Sequence, residues 1–387
     1  IENMYKTATV AEWNKEHGTR VEIDLEGSYQ NGPQSVDEYL KQTAIVNPHV
    51  TIIYVNPKAE QSIFPRTSDS LPKLPKAIKP HPYGVELGLL MKMLRNSESR
   101  TVNSFLVNEF SRVGPDTAKE ILEKALILPT MKPGDVSRDD AEKLIKSIKE
   151  TKIISPPTDC IAPIGEELLE KGLRKEVNAE FYCAVTRPPA VYRGNPFLIE
   201  CAIAYGGQQP ADQPVTLLRF ANRVPLLYQQ GACAVTKCVQ ATAWKPYGLQ
   251  QSGGNLPAGP ATIVVHMGSV WVPFSSEAKE AIAHYPEIIK EVKLALQEVG
   301  RKMQRYVHKK VRVNQQLERA NIFERYIPVV AASLAALSGD KEEKILSALQ
   351  AMVKKDEIQK EILEMETPNA DYEGPSEPSD EKVEQED

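Results

Sequence analysis

One lysine stands where a cation is least welcome on a helix. The stretch from Trp271 to Ala283, WVPFSSEAKEAIA, reads as a strand end, a proline turn, a serine cap and the start of a long helix that begins at Ser275. Lys279 then falls in the first helical turn. Four amide N–H groups lack partners there and the helix dipole is positive, so a cation is disfavoured by a few tenths to about 1 kcal/mol. Two readings stand. In one the lysine reaches for an anion, because a helix N-terminus beside a lysine suits a phosphate. In the other Glu277 and Glu280 offset the charge and Lys279 is a solvated surface residue.

Three other segments hold residue types that could meet nucleic acid. WKPY, Trp244 to Tyr247, sets Lys245 between two aromatics ahead of a glycine-rich loop. Such a turn can grip a backbone through charge and stacking, or can be a loop anchored by a buried tryptophan. SRVGPDTAKEIL (111–122) is a tight turn between helices, with Asp116 as cap and Thr117 just behind it. Helix–turn–helix units of this kind can present backbone N–H groups to phosphates without reading bases. Lys76, Lys79, His81, Lys92, Arg95 and Arg100 supply nearby positive charge, and a plain helical bundle is the competing reading. RKMQRYVHKKVR (301–312) is a cationic helix segment, facing phosphates or simply solvated.

The chemistry that is not spelled out narrows the field. There is no Walker A loop, no GxGxxG and no Ser-His-Asp or Cys-His arrangement. Cys160, Cys183, Cys201, Cys233 and Cys238 form no CxxC pair and no histidine pair has metal-ligand spacing, so reduced buried thiols of a cytosolic protein are expected and no metal site is assigned. No run of consecutive apolar residues approaches 18, so no transmembrane helix is expected. No catalytic centre is assigned to the chain.

These residues need elements to hold them. At 387 residues with 41% hydrophobic content the chain is long enough for two or three domains. A short helical segment opens it. VEIDLEGSY (21–29) alternates as a strand does, SVDEYLKQTAIV (35–46) reads as a helix and VTIIYV (50–55) as a second strand, together the closing part of an α/β layer. The proline- and lysine-rich stretch over 56–82 reads as connection. Residues 83–150 carry four helical repeats of apolar spacing 3 and 4. ISPPTDCIAP (154–163) opens an α+β region with a helix and strand-like FYCAVTR, PFLIECAIAY, VTLLRFANRV and ATIVVHMGSVWV. The helix from Ser275 runs past residue 310, and forty residues of it would reach roughly 60 Å. Pro328 is its expected kink, NIFERYIPVVAASLAALSG (321–339) is an apolar patch at its far end, and a last helix covers 342–363. The tail from Thr367 carries a net charge of −7, leaving +2 for the rest of a chain whose total is −5, and reads as disordered.

The ordered set GTRVEIDLEGSY, YLKQTAIVNPHV, KPHPYGVELGLL, FLVNEFSRVG, PPTDCIAPIGEELL, TRPPAVYRGNPFLIECAIAYGG, LLRFANRVPLLYQQGACAVTK, WKPYGL and VPFSSEAKEAIA resembles the B-subunit family of DNA topoisomerase VI, the type IIB enzyme, over about residues 15 to 335. The resemblance implies an α+β multidomain chain. Residues 1–64 would be a remnant of an α/β Bergerat ATPase sheet, 65–76 a linker and 77–153 an all-α helix-two-turns-helix domain. Residues 154–340 would be an α+β transducer ending in a stalk helix, 341–366 a C-terminal helix and 367–387 a disordered acidic tail.

The same resemblance implies roles. Lys279 would be the transducer lysine that reaches the ATP γ-phosphate, and Trp244, Lys245 and Tyr247 would be DNA-contact candidates. Nucleotide and magnesium would be cofactors of the complete enzyme, double-stranded DNA its substrate and the topoisomerase VI A protein its partner in an A2B2 heterotetramer. That A protein would hold the nucleophilic tyrosine, and the B proteins would pair through an N-terminal ATPase domain. The family's ExxxN, DxGxG and GxxGxG segments do not occur, and the chain starts at Ile1. It is therefore expected to be the C-terminal three-fifths of a B protein, inactive alone, acting at the nucleoid in the cytoplasm and not at a membrane. The alternative is a non-enzymatic DNA-binding or adaptor module built from the helical and transducer-like domains.

Overall fold

A computed structural model describes residues 16–24, 26–352 and 360. The expected opening helix falls mostly, and the acidic tail wholly, outside those residues. Residues 18–24 and 26–30 form no strand: Val21 and Ile23 are 77% and 71% exposed. Their alternation alone does not make a strand, because a strand needs a neighbouring strand to pair with and a layer to bury its apolar face.

The first helix, α1 (Val36–Val46), starts where Ser35 accepts a hydrogen bond from the Glu38 N–H, with Asp37 and Glu38 in its first turn. It stops at Asn47, just ahead of Pro48. An antiparallel hairpin follows, β1 (Ile52–Val55) and β2 (Gln61–Phe64), paired Ile52 with Phe64 through Val55 with Gln61. β2 lies inside the stretch read as connection. Asn56 makes its turn: its Oδ1 accepts from the N–H groups of Lys58 and Glu60, and Ala59 takes a left-handed backbone.

Four helices come next: α2 (Leu87–Asn96), α3 (Val102–Glu109), α4 (Pro115–Ala125) and α5 (Arg138–Glu150). They close around their own core of Leu90, Phe105, Leu106, Ile121, Leu122 and Leu144. Thr101 and Ser104 form a capping box on α3. Asp116 does not cap α4. Gly114 is the cap residue and Pro115 the first helical one, so Asp116 sits in the first turn and only complements the dipole.

The remainder is a mixed sheet with a helical layer on each face. α6 (Glu166–Glu176) leads into β3 (Phe181–Thr186), β4 (Ala190–Tyr192), β5 (Asn195–Tyr205), β6 (Thr216–Ala221), β7 (Val224–Pro225), α7 (Ala234–Ala241) and β8 (Ala261–Ser269). The spatial order is β3-β5-β8-β6-β7, with β4 paired to β5. β5 pairs antiparallel with β8, and β6 runs parallel to β8. β5 and β8 are buried along almost their whole length because both faces are covered, as their near-continuous apolar sequences require. One face packs on α7 and a long helix, α8 (Pro286–Ser338); the other packs on α6 and α1.

α8 is 53 residues long, about 80 Å at 1.5 Å per residue. It starts at Pro286 and not at Ser275. Proline at the first helical position needs no N–H partner and has its φ already set, which makes it the stronger start signal. Ile288, Val292, Ala295, Leu296, Val299 and Met303 bury its first half on the sheet. Pro328 lies within a helix that continues unbroken to Ser338. The far half exposes Ile322, Phe323, Tyr326, Val329 and Leu337. By length and composition α8 is apolar enough to cross a membrane, with a window of mean hydropathy 1.2; averaging over a window admits polar residues that interrupt a strictly apolar run. Gly339, in the left-handed region, ends it, and α9 (Glu342–Met352) folds back on it. The rest of the helix expected over 342–363 lies outside the described residues, apart from Lys360.

Candidate functional site

The loop carrying Lys279 is a pinned turn and not a helix start. Phe274 bridges Ile282 across it, the Ser275 N–H donates to the Ala281 carbonyl (2.8 Å) and the Ala283 N–H donates to that of Pro273 (2.8 Å). Its base is buried: Ala281 and Ile282 are fully enclosed, and the Ile282 carbonyl accepts from the Ala234 N–H at the start of α7 (2.9 Å). Lys279 sits at the exposed tip with φ 57°, its N–H donating to the Ser276 carbonyl. A left-handed non-glycine residue costs about 1–2 kcal/mol, which the bridge beneath must hold. The dipole argument therefore does not apply at Lys279. Geometry replaces it. An ammonium on a flexible stem, in no ion pair among the described residues, is carried on a turn fastened to the core that receives the first turns of α8.

WKPY splits into two roles. Trp244 is fully buried and its indole N–H donates to the Val239 carbonyl (2.8 Å), so its ring is closed to a base or phosphate. Tyr247 is half-buried and meets Trp244 edge to face at 5.9 Å. Its ring lies over Gly300, where an added Cβ would come within 2.4 Å of Cδ2. This packing falls 14 residues along α8 from Pro286, about 20 Å up the helix. Lys245 is exposed.

On the other face of the sheet lies a buried polar group that the motifs above do not include. Glu200, on β5, is fully enclosed and accepts four hydrogen bonds: from the Ile164 N–H (2.9 Å), the Gly165 N–H (2.7 Å), Thr186 Oγ1 (2.9 Å) and His266 Nδ1 (2.8 Å). His266, on β8, is also buried, and its Nε2 accepts from the Arg223 N–H (3.1 Å). An imidazole that accepts at Nε2 and donates at Nδ1 is neutral, so the negative charge stays on Glu200. Burial pushes the Glu200 carboxyl up, but the bonds from His266 and the two amides outweigh it and hold the group below the usual carboxylate range. The carboxylate also faces the N-terminal end of α6, whose cap is Gly165 at φ 89°. A glutamate and a histidine inside otherwise apolar strand runs, PFLIECAIAY and TIVVHMGS, were the available signal, since a buried charge must be paired.

Arg223 ties this group to the N-terminal segment. Asn222 and Arg223 are both left-handed and turn β6 into β7, as a two-residue hairpin demands. The Arg223 guanidinium donates to the carbonyls of Val46, the last residue of α1, and of Pro163. α1 is further pressed onto α6 at Gly172.

The basic candidates divide by burial. Lys79, Lys92, Arg95 and Arg100 are exposed. His81 is not available: it is buried, its Nε2 meets the Ile154 carbonyl at 3.0 Å, and burial pushes its imidazole pKa down. On α8, Lys302 donates to the Ala184 carbonyl and Lys310 pairs with Glu180, so part of the basic run ties the helix to β3 while Arg301 and Arg305 stay exposed. Cys183, Cys201, Cys233 and Cys238 are free and buried; Cys160 is half-buried.

Residues 156–319 match the family model described as the transducer of the topoisomerase VI B protein. The B protein of type 2 DNA topoisomerase 6 from Methanococcoides burtonii is 49% identical over 84% of this chain and 53% of its own length. That of Saccharolobus islandicus is 35% identical over 84% of this chain and 61% of its own. The chain thus spans a little over half the length of these relatives. A solved structure, the B-subunit of the DNA gyrase from Myxococcus xanthus, aligns at a TM-score of 0.25 and 20% identity over 34% of this chain and 37% of that one, too little to carry an argument.

Proposed function

The chain belongs to the topoisomerase VI B-subunit family, and from that premise we propose that it forms the transducing part of the B protein in an ATP-dependent type IIB DNA topoisomerase. In this reading residues 1–64 close a Bergerat-type ATPase layer, 77–153 are a helix-two-turns-helix domain and 154–340 are the transducer with α8 as its stalk. The complete A2B2 enzyme couples nucleotide binding and hydrolysis to double-strand passage and relaxation of supercoiled DNA.

One observation carries the reading. The ammonium of Lys279, in no ion pair among the described residues, sits on a turn whose base shares a buried core with the first turns of α8. Bound ATP would supply the negative γ-phosphate. Lys279 would neutralise part of that charge in the transition state, and the strain of reaching it would pass through Ala281 and Ile282 into the stalk. The far end, Asn321 to Leu337, would dock the A protein through its exposed Phe323, Tyr326 and Val329. Among the described residues no group of three or more His, Cys, Asp or Glu could hold a metal ion; magnesium would be a cofactor of the complete enzyme. For DNA, Lys245 and the half-exposed Tyr247 remain candidates, and the burial of Trp244 removes it from that role.

The test uses the complete B protein with its A partner. Lys279→Ala should lower ATP-dependent relaxation of supercoiled DNA at least tenfold, about 1.4 kcal/mol, with thermal unfolding unchanged. Unchanged relaxation and ATPase rates would reject the role.

A further inference from the structure

We propose that the cleft between the N-terminal turn of α1 and the outer edge of β6 binds a phosphate or carboxylate group, with Arg219 as its buried cation. Arg219 is only 2% exposed, in the middle of a strand. Its Nη2 donates to the carbonyls of Leu226 (2.7 Å) and Tyr228 (3.0 Å). Its Nη1 is buried without a hydrogen-bond partner, and no carboxylate pairs with the guanidinium among the described residues. An arginine does not shed its proton to escape this. Two carbonyl dipoles offset only part of a full charge, and an enclosed ion without a counter-ion is costly enough that a partner is expected.

The surroundings suit an oxyanion. The cleft holds about 660 Å³, within the range of small-ligand sites. Ser35 and the first turn of α1 form one wall, placing the positive end of an 11-residue helix on the cleft. Gln30, Gln34 and Gln230 bring amide donors. β7 pairs with Phe220 and Ala221 and the Leu226 N–H donates to the Arg219 carbonyl, which leaves the outer edge of β6 from Thr216 to Leu218 open to the cleft. Glu38 also lines the space, its Oε1 accepting from Gln42 (2.8 Å). It disfavours a fully deprotonated anion on that side and can accept a hydroxyl. The site therefore suits an oxyanion that keeps one O–H, such as a monoprotonated phosphate, or a carboxylate with a neighbouring donor.

Titration calorimetry of the full chain in chloride buffer tests this, with inorganic phosphate as one probe and N-acetylaspartate amide as the other. Saturable binding of phosphate alone assigns a free phosphate. Binding of the aspartate derivative alone assigns an acidic peptide side chain, and binding of both assigns the shared oxyanion chemistry. Binding of neither overturns the proposal. Arg219→Gln should weaken the bound probe at least tenfold, and Arg219→Lys should weaken it less. Glu38→Gln should tighten it about threefold by removing an opposing charge. A folded Arg219→Gln that binds as the parent does overturns the assignment. If that variant does not fold, an unchanged affinity in Glu38→Gln overturns it instead.

Discussion

Gly172 of α6 lies directly against the Ile45 carbonyl of α1: a Cβ built at residue 172 would stand 2.0 Å from that oxygen. Both atoms belong to helices, so neither can step aside as a flexible side chain would. The approach seats the N-terminal helix on the sheet and brings Val46 within reach of Arg223. This contact and the Arg223 bond to Val46 both tie the N-terminal segment to the sheet layer.

Gly172→Ala should force α1 off α6. The expected loss is about 1–3 kcal/mol of stability, read as a lower urea midpoint, because overpacking at backbone is not relieved by rotamer changes. Hydrogen exchange should rise in α1 and not in α2–α5, which have a separate core. Equal protection of α1 in the two proteins would show that the contact does not hold it.

Glu200 makes the sheet acid-sensitive in a defined direction. Its carboxyl is held below its ordinary range when folded, so its stabilisation is fully present above the unfolded value near pH 4.3 and is lost as pH falls through the lower folded value. Glu200→Gln should cost about 2–3 kcal/mol at neutral pH, since an amide cannot accept all four hydrogen bonds. It should also flatten the fall in stability between about pH 5 and pH 3. Denaturant unfolding across that range measures both effects, and parallel curves for the two proteins would remove Glu200 from the acid transition.

At the other helix contact, Gly300→Ala would drive a methyl into the Tyr247 ring. The ring edge can yield where the backbone of Ile45 cannot, so a loss of about 1 kcal/mol is expected, smaller than at Gly172. Tyr247→Ala should restore most of it in the double variant. A strictly additive double-mutant cycle would mean that the two residues do not meet.

If Lys245 touches phosphates in the complete enzyme, Lys245→Glu should weaken DNA binding and reduce the slope of log K against log salt by about one. Trp244→Phe should leave that slope unchanged, and instead lower stability through the lost indole bond to Val239. A salt slope that moves with Trp244 and not with Lys245 would reverse the two roles.

Local chemistry was legible in the chain itself. Apolar spacing of 3 and 4 marked the helices of the middle region, the helix read over 35–46 starts at the Ser35 cap of α1, and apolar strand-like runs marked the strands of the α+β region. The ordered motifs also carried the family. Three features depended on contacts that only the folded chain makes. Whether VEIDLEGSY becomes a strand depends on a neighbour that can accept its hydrogen bonds, which alternation cannot supply. WVPFSSEAK reads as a helix start by local cap rules, yet a bridge from Phe274 to Ile282 and the proline at 286 make it a turn and move the helix eleven residues on. Trp244 reads as a stacking platform or, more commonly, as an anchor, and its enclosure beside α8 decides for the anchor. The buried charges show the same division. Sequence alone put Glu200, His266 and Arg219 inside apolar strands; the fold paired the first two and left the third facing a cleft, because pairing depends on which strands become neighbours.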